Sequence, residues 1–287
     1  MSGLEAVDFD VAPFDSVADL CGNPVDANFV AFMNGNQFMA LPKVMESFAV
    51  VADGVDSIFY ETLPPGILIE QVKAGALRMG ALTITVRPDV IAAAPDALGR
   101  LADEGTVGEI VEYASNNLAM LMPLSSSAPV SGVSDLAVDG VRIAMPDPKT
   151  EGVGRLMVEV LRAAGGDSLV EEVMIEKVGR GETILTRIHH RQSPLWLDLG
   201  RVDVAPVWAT EARYHLGRGA PYKVVPIEDE INRWGRYAIA ALCDAPHPEL
   251  AKAFVAHMAD PRTARIYGSF GFEPPIGTTS GKGSTIN

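Results

Sequence analysis

Short apolar runs alternate with stretches whose apolar positions recur every three or four residues, along most of the chain. The runs have the length of buried strands and the stretches the period of helices. Asn28-Phe29-Val30-Ala31-Phe32-Met33 reads as a strand that stops at the turn-prone Asn34-Gly35-Asn36. Phe38, Leu41, Met45 and Phe48 then share one face of a predicted helix. Ser57–Tyr60 is a second strand. Pro64-Pro65-Gly66 leads into a helix over Ile67–Lys73, which Ala74-Gly75 closes as a C-cap. Ala81–Val86 is predicted as a third strand, followed by an alanine-rich helical stretch and a strand at Asn117–Met122 apolar enough to be buried on both faces.

A second series follows. Val141–Ala144 is a strand, Val153–Ala164 a helix and Thr183–Ile188 a strand; Ser193 as N-cap and Pro194 at N1 open another helix. Val202–Trp208 and Tyr237–Cys243 are strand-like, and helices close the pattern at Glu249–Met258 and Pro261–Tyr267. Such alternation specifies an α/β fold with largely parallel sheets. Pro274–Asn287 is a Gly/Ser/Thr-rich surface tail. Its Gly281-Lys282 has neither the spacing nor the following helix of a phosphate-binding loop.

With 287 residues, 48% of them hydrophobic, the chain exceeds what one lobe usually needs and predicts two. Mean hydropathy of +0.16 argues against long disorder. A net charge of −14 disfavours nucleic acid or an anionic membrane as partner. A small anion is still admissible, because a cleft can present backbone N–H groups whatever the net charge. Cys21 and Cys243 lack metal-type spacing and read as unbridged core thiols, or as a disulfide if the compartment is oxidising. Met1-Ser2-Gly3-Leu4-Glu5-Ala6 has no basic or apolar leader pattern. Taken literally this start keeps the chain in the cytoplasm; equally, it suits a mature domain whose signal peptide has been removed.

No nucleophile elbow, zinc-helix motif or dinucleotide fingerprint occurs, and Gly179-Arg180-Gly181 precedes a strand rather than opening a helix. A catalytic reading would need Glu61, Glu151 and His190 to act as acid–base machinery across a cleft. The expectation is therefore no enzyme, no cofactor and no metal site.

Three stretches together carry a resemblance. The first is Gly66-Ile67-Leu68-Ile69-Glu70-Gln71-Val72-Lys73-Ala74-Gly75-Ala76. The second is Asn117–Pro123, with Ile143–Pro148 and Gly152-Val153-Gly154. The third is Gly200-Arg201-Val202-Asp203-Val204-Ala205-Pro206-Val207-Trp208, with a closing Pro248–Phe272. In this order they resemble the molybdate-type extracellular solute-binding proteins of bacterial ABC importers. The resemblance implies a two-lobed periplasmic-binding-protein-like fold with two crossing strands as hinge, near Asn117–Leu124 and Arg236–Cys243. Residues 1–121 plus 237–287 would form one lobe and 122–236 the other. It further implies a periplasmic monomer that hands a small solute to a membrane permease, or a ligand sensor on the same fold.

In an open α/β sheet, ligands bind beyond the carboxyl ends of the strands, where helix N-termini can hold anions. Four loops qualify. Asn34, Gly35, Asn36 and Gln37 combine amide groups with a close-approach glycine. Glu61 and Thr62 precede a proline-stiffened loop; the resembled family has small hydroxyl residues there, and Glu61 would repel a bare oxyanion. Thr150, Glu151, Gly152 and Val153 match the family's second-lobe anion loop. His189, His190, Arg191 and Gln192 form the chemically densest stretch, although adjacent side chains on an extended segment face opposite ways. Trp208 is a stacking wall or core, and Arg87 is a further candidate. The ligand is an oxyanion on the strength of the resemblance, or an organic acid, zwitterion or metal complex on the strength of the two carboxylates.

Overall fold

The computed structural model describes residues 7–8, 19–186 and 192–276. The backbone of β1 (Val7–Asp8) and a short β2 (Leu20–Cys21) precede β3 (Phe29–Phe32), all four residues of which are buried, as a Phe-Val-Ala-Phe run demands. Helix α1 (Leu41–Val51) buries Leu41, Val44, Met45 and Phe48. Strand β4 (Ile58–Glu61) lies parallel to β3, and α2 (Pro65–Ala74) ends at Gly75, whose φ of 75° provides the left-handed cap foreseen in the sequence.

The next segment departs from the pattern reading. Ala81–Val86 is not a strand of the main sheet. Strands β5 (Leu77–Met79) and β6 (Leu82–Ile84) form a hairpin that pairs with β1 as a separate small sheet. The third parallel strand is β7 (Val90–Ala93), inside the alanine-rich stretch expected to be helical, with α3 (Pro95–Asp103) after it. All four β7 residues are buried between β3 and a later strand. Apolar layers cover both faces, so small side chains fit there, and tertiary packing overrides alanine's helix preference.

Strand β8 (Val107–Pro123) is 17 residues long and links the two element series. Beyond it come β9 (Ile143–Met145), α4 (Gly152–Glu171), which is kinked at Gly165 and Gly166, and α5 (Lys177–Arg180). Strand β10 (Thr183–Leu185) lies parallel to β9. Helix α6 (Gln192–Asp198) already contains Ser193 in its first turn, so Ser193 is not the N-cap expected from Ser-Pro. Then follow β11 (Ala205–Trp208), α7 (Ala209–Gly217), β12 (Tyr222–Val225), β13 (Trp234–Leu242), α8 (Pro248–Met258) and α9 (Pro261–Ser269).

The large sheet runs β11-β8-β13-β7-β3-β4-β2, with β12 also on β8. The C-terminal part of β8 pairs with β11 and β12, and the rest pairs antiparallel with β13 from Asn117↔Trp234 to Val107↔Leu242. The strands that contain the two segments expected to cross between lobes pair with each other, but the segments themselves do not. Arg236–Leu242 runs along Val107–Ser115, whereas Leu118–Pro123 lies against β11 and β12, and the β8–β13 ladder has irregularities at Tyr237/Ala238 and Ala240/Leu242. One face of the sheet packs Phe29, Phe48 and Phe254 with ring centroids 4.8–5.1 Å apart; the other packs Phe32, Phe59, Leu68 and Leu98. No disulfide joins Cys21 and Cys243, and Cys243 is exposed rather than in the core. Among the described residues no helix is long and apolar enough to cross a membrane.

Candidate functional site

Strands β3 and β4 are parallel, so their carboxyl ends deliver two loops to the same edge. The Gly35 N–H donates to the Leu63 carbonyl at 3.0 Å. A Cβ on Gly35 would lie 2.8 Å from the Thr62 carbonyl oxygen. The missing side chain of this glycine therefore lets the two loops come together. Asn34 begins the turn but forms no side-chain cap, and its buried Oδ1 has no hydrogen-bond partner among the described residues. A buried acceptor left without a donor is costly, typically about 1–3 kcal/mol. Of the first loop, Asn34 is the residue whose chemistry is unspent.

Its neighbours point inward. Asn36 Nδ2 donates to the Tyr237 hydroxyl. Gln37 Nε2 donates to the Tyr113 hydroxyl at 2.7 Å, and the Tyr267 hydroxyl donates to Gln37 Oε1 at 2.6 Å. Asn116 Nδ2 donates to Thr210 Oγ1 at 2.8 Å. Burial pushes the Tyr113, Tyr237 and Tyr267 hydroxyls well above the ordinary tyrosine range, so they remain protonated donors. Asn36 and Gln37, two of the residues expected at a ligand, are bound into this network. Pattern reasoning missed Tyr113, Asn116, Thr210 and Tyr237. Adjacent asparagines within a strand at 116–117 were the available signal, since asparagine is depleted in strands.

Glu61 does not face the cleft loops. Strand alternation places it on the side of Phe59, toward α2, where Gln71 Nε2 donates to its Oε1 at 3.1 Å. Both Glu61 Oε2 and Gln71 Oε1 are buried acceptors without a partner among the described residues. Burial raises the Glu61 carboxyl to about 7, against the smaller opposing pull of the Gln71 hydrogen bond. Protonation supplies the donor that this acid–amide pair lacks. Thr62 is buried too, its hydroxyl donating to Asp19 Oδ1 at 2.9 Å.

On the second side, α4 opens at Gly152 with Glu151 in the N-cap position but making no side-chain cap. The Glu151 carboxylate instead accepts from the Thr186 hydroxyl, which itself accepts from the Asp147 N–H at 3.0 Å. The N–H groups of Gly152 and Val153 at this helix start are not capped by Glu151, and they carry the partial positive charge of the helix dipole. Thr150 lies exposed ahead of them.

Five contacts join these segments in a closed circuit. Gly35 touches the β4 loop at Thr62. Gly66 approaches Thr150, with its Cβ position 3.7 Å from the Thr150 carbonyl oxygen. Gly152 borders Trp208, with its Cβ position 4.0 Å from Cζ2. Trp208 packs against Tyr237 at a centroid distance of 5.8 Å, and Tyr237 returns to Asn36. Trp208 is 6% exposed and its ring lies over Gly235, where a Cβ would come within 2.4 Å of Cη2. It is thus both a packed residue and a wall of the circuit.

Arg87 does not belong there. It pairs with Asp244 at the exposed surface before the amino end of β7, at the opposite edge of the sheet. Gln192 is nearly buried at the start of α6, whereas His189, His190 and Arg191 lie outside the described residues. Among the described residues no group of acidic, histidine and cysteine side chains could hold a metal ion.

A family model for bacterial extracellular solute-binding proteins matches residues 32–273. The chain belongs to this family. The folds of solved solute-binding proteins agree. The periplasmic molybdate-binding protein of Azotobacter vinelandii shares 17% identity with a TM-score of 0.68, covering 86% of this chain and 100% of its own. The sulfate-binding protein SubI of Mycobacterium tuberculosis shares 14% at a TM-score of 0.68, covering 86% of each chain. The ferric binding protein of Campylobacter jejuni shares 12% at a TM-score of 0.63, again with 86% of each covered. No functionally curated protein is near enough in sequence to match. At these identities the likeness concerns the fold, and the ligands differ from one solute-binding protein to the next.

Proposed function

We propose that this solute-binding protein is the receptor of an ABC-type uptake system that captures a small polar or anionic solute between residues 1–121 plus 237–287 and residues 122–236. It acts outside the cytoplasmic membrane and delivers its solute to a permease. The observation that carries this reading is the buried Asn34 acceptor, without a partner among the described residues, next to Gly35 and Asn36 on a circuit that also contains the α4 start, which Glu151 does not cap, and the Trp208 ring. Asn34 orients the solute, the Gly152 and Val153 N–H groups hold its negative end, and Trp208 walls it in. Arg191, whose guanidinium fork suits a carboxylate or oxyanion, and one of His189 and His190 are further proposed contacts for the solute.

Turning Glu61 toward Gln71 removes one of the two carboxylates that argued for a mixed-polarity solute. It leaves oxyanions, organic acids and metal complexes as candidates. A thermal-shift panel of molybdate, tungstate, sulfate, phosphate, small organic acids and ferric chelates tests the reading. A true solute at 100 times its Kd raises the melting midpoint by about 5 °C or more, and Asn34→Ala weakens it about tenfold. A flat panel at millimolar concentrations would sink the proposal.

A further inference from the structure

The start of α4 goes against what stabilises a helix. Its first turn holds no acidic residue, its first position is Gly152, and Arg155 brings a cation to the end where the dipole is already positive. Gly154 has a packing reason, since a Cβ there would lie 2.3 Å from the Pro146 carbonyl oxygen. Gly152 has none. Its φ is not left-handed, and the atoms nearest its Cβ position are Arg155 Nη2 at 3.8 Å and Trp208 Cζ2 at 4.0 Å, both ordinary contact distances. Arg155 is exposed, and among the described residues its guanidinium hydrogen-bonds only the Pro148 carbonyl, at 3.4 Å. The nearby Glu151 carboxylate accepts from Thr186 instead.

We propose that Arg155 and the side-chain-free Gly152 make the site selective for a small carboxylate that also carries a hydroxyl or ammonium group. This rests on the receptor reading above and names the class of its solute. Nη2 of Arg155 and the edge of the Trp208 ring border one point, so at most one layer of atoms fits between them. A planar carboxylate is one layer thick, whereas the four oxygens of sulfate or molybdate are not. The guanidinium fork matches the two carboxylate oxygens, and the Gly152 and Val153 N–H groups favour the same charge. Elsewhere on the circuit, the buried Asn34 Oδ1 has no partner among the described residues and calls for a donor. A hydroxyl or ammonium beside the carboxylate supplies it, and a fully deprotonated oxyanion has none to give. The glycine and the cation at the α4 start thus give up helix stability in favour of binding.

Isothermal titration calorimetry of the full chain with lactate, malate, citrate and serine tests this, against acetate, sulfate and molybdate. At least one of the first four binds, acetate binds more weakly, and neither sulfate nor molybdate competes. Arg155→Gln weakens the binding about 30-fold. Arg155→Lys, which keeps the charge without the fork, falls between. Gly152→Ala, whose methyl group fills the recess, weakens it about tenfold or more. Neither Arg155→Gln nor Gly152→Ala lowers the melting midpoint, and Gly152→Ala raises it, because alanine is the better helix former. A merely structural role for either residue would lower it. Each variant carries the test alone if the other fails to fold. Sulfate, molybdate or a ferric chelate as the tightest wild-type solute overturns the selectivity and leaves the receptor reading standing. So does a carboxylate that binds both variants as tightly as wild type. Silence of the wild type toward every probe of the thermal-shift panel defeats the receptor reading, and the selectivity with it.

Discussion

The loops after β4 and before α4 look alike in sequence, each placing a glutamate and a threonine ahead of a helix, yet their carboxylates have opposite surroundings. Glu151 sits at a helix start and accepts from the Thr186 hydroxyl. Glu61 ends a strand, and strict alternation turns it into the layer between sheet and α2, where an amide donor reaches Oε1 and none reaches Oε2 among the described residues. Glu151 has a hydroxyl donor brought to it by the end of β10. A carboxylate at the end of a buried strand has only what the next layer offers, and burial favours its neutral form. Identical residue types at similar places therefore predict little about their hydrogen-bond surroundings until the local period is known.

The largest expected effect breaks this contrast from the Glu61 side. A carboxyl raised from 4.5 to about 7 binds its proton more tightly in the folded state. Its contribution to stability is complete below about pH 4.5 and is lost as pH rises through about 7. Glu61→Gln keeps the shape and removes the charge. It should gain about 3 kcal/mol over wild type at pH 8 and nothing near pH 4, as read from urea unfolding at both. Equal gains at both pH values would place the Glu61 carboxyl in a solvated site. Next in size, Thr186→Val deprives Glu151 of its hydroxyl donor. It should cost about 2 kcal/mol at neutral pH by the same measurement; no loss would mean that other partners hold Glu151 unaided. The smallest effect concerns the contact between the two loops. Gly66→Ala meets the Thr150 carbonyl at an ordinary 3.7 Å and sits in the first turn of α2, so it should gain a few tenths of a kcal/mol through the unfolded chain. A loss of more than about 1 kcal/mol would show that the loops press together more tightly than this.

The helices and strands with a clear local period were legible from the chain. Phe29–Phe32, the α1 stripe, the Gly75 cap and both closing helices form where their own residues specify them. So were the meeting places of candidate loops, because parallel strands bring their carboxyl ends to one edge. Asn34, Gly152 and Trp208 hold places on the resulting circuit. Arg87 was misplaced because the third strand was set one element too early. That error came from Val90–Ala93, whose alanines mark a helix locally and a central strand once both faces are covered.

What the sequence alone determined here is the succession of strand, loop and helix, together with family membership, since both depend on local period and ordered short motifs. The tertiary structure decided where the polar side chains spend their hydrogen bonds. Asn36 goes to Tyr237, Gln37 to Tyr113 and Tyr267, and Asn116 to Thr210, pairings of residues 76 to 230 positions apart. A buried amide takes whichever partner the fold brings near it, and nothing in its immediate sequence names that partner.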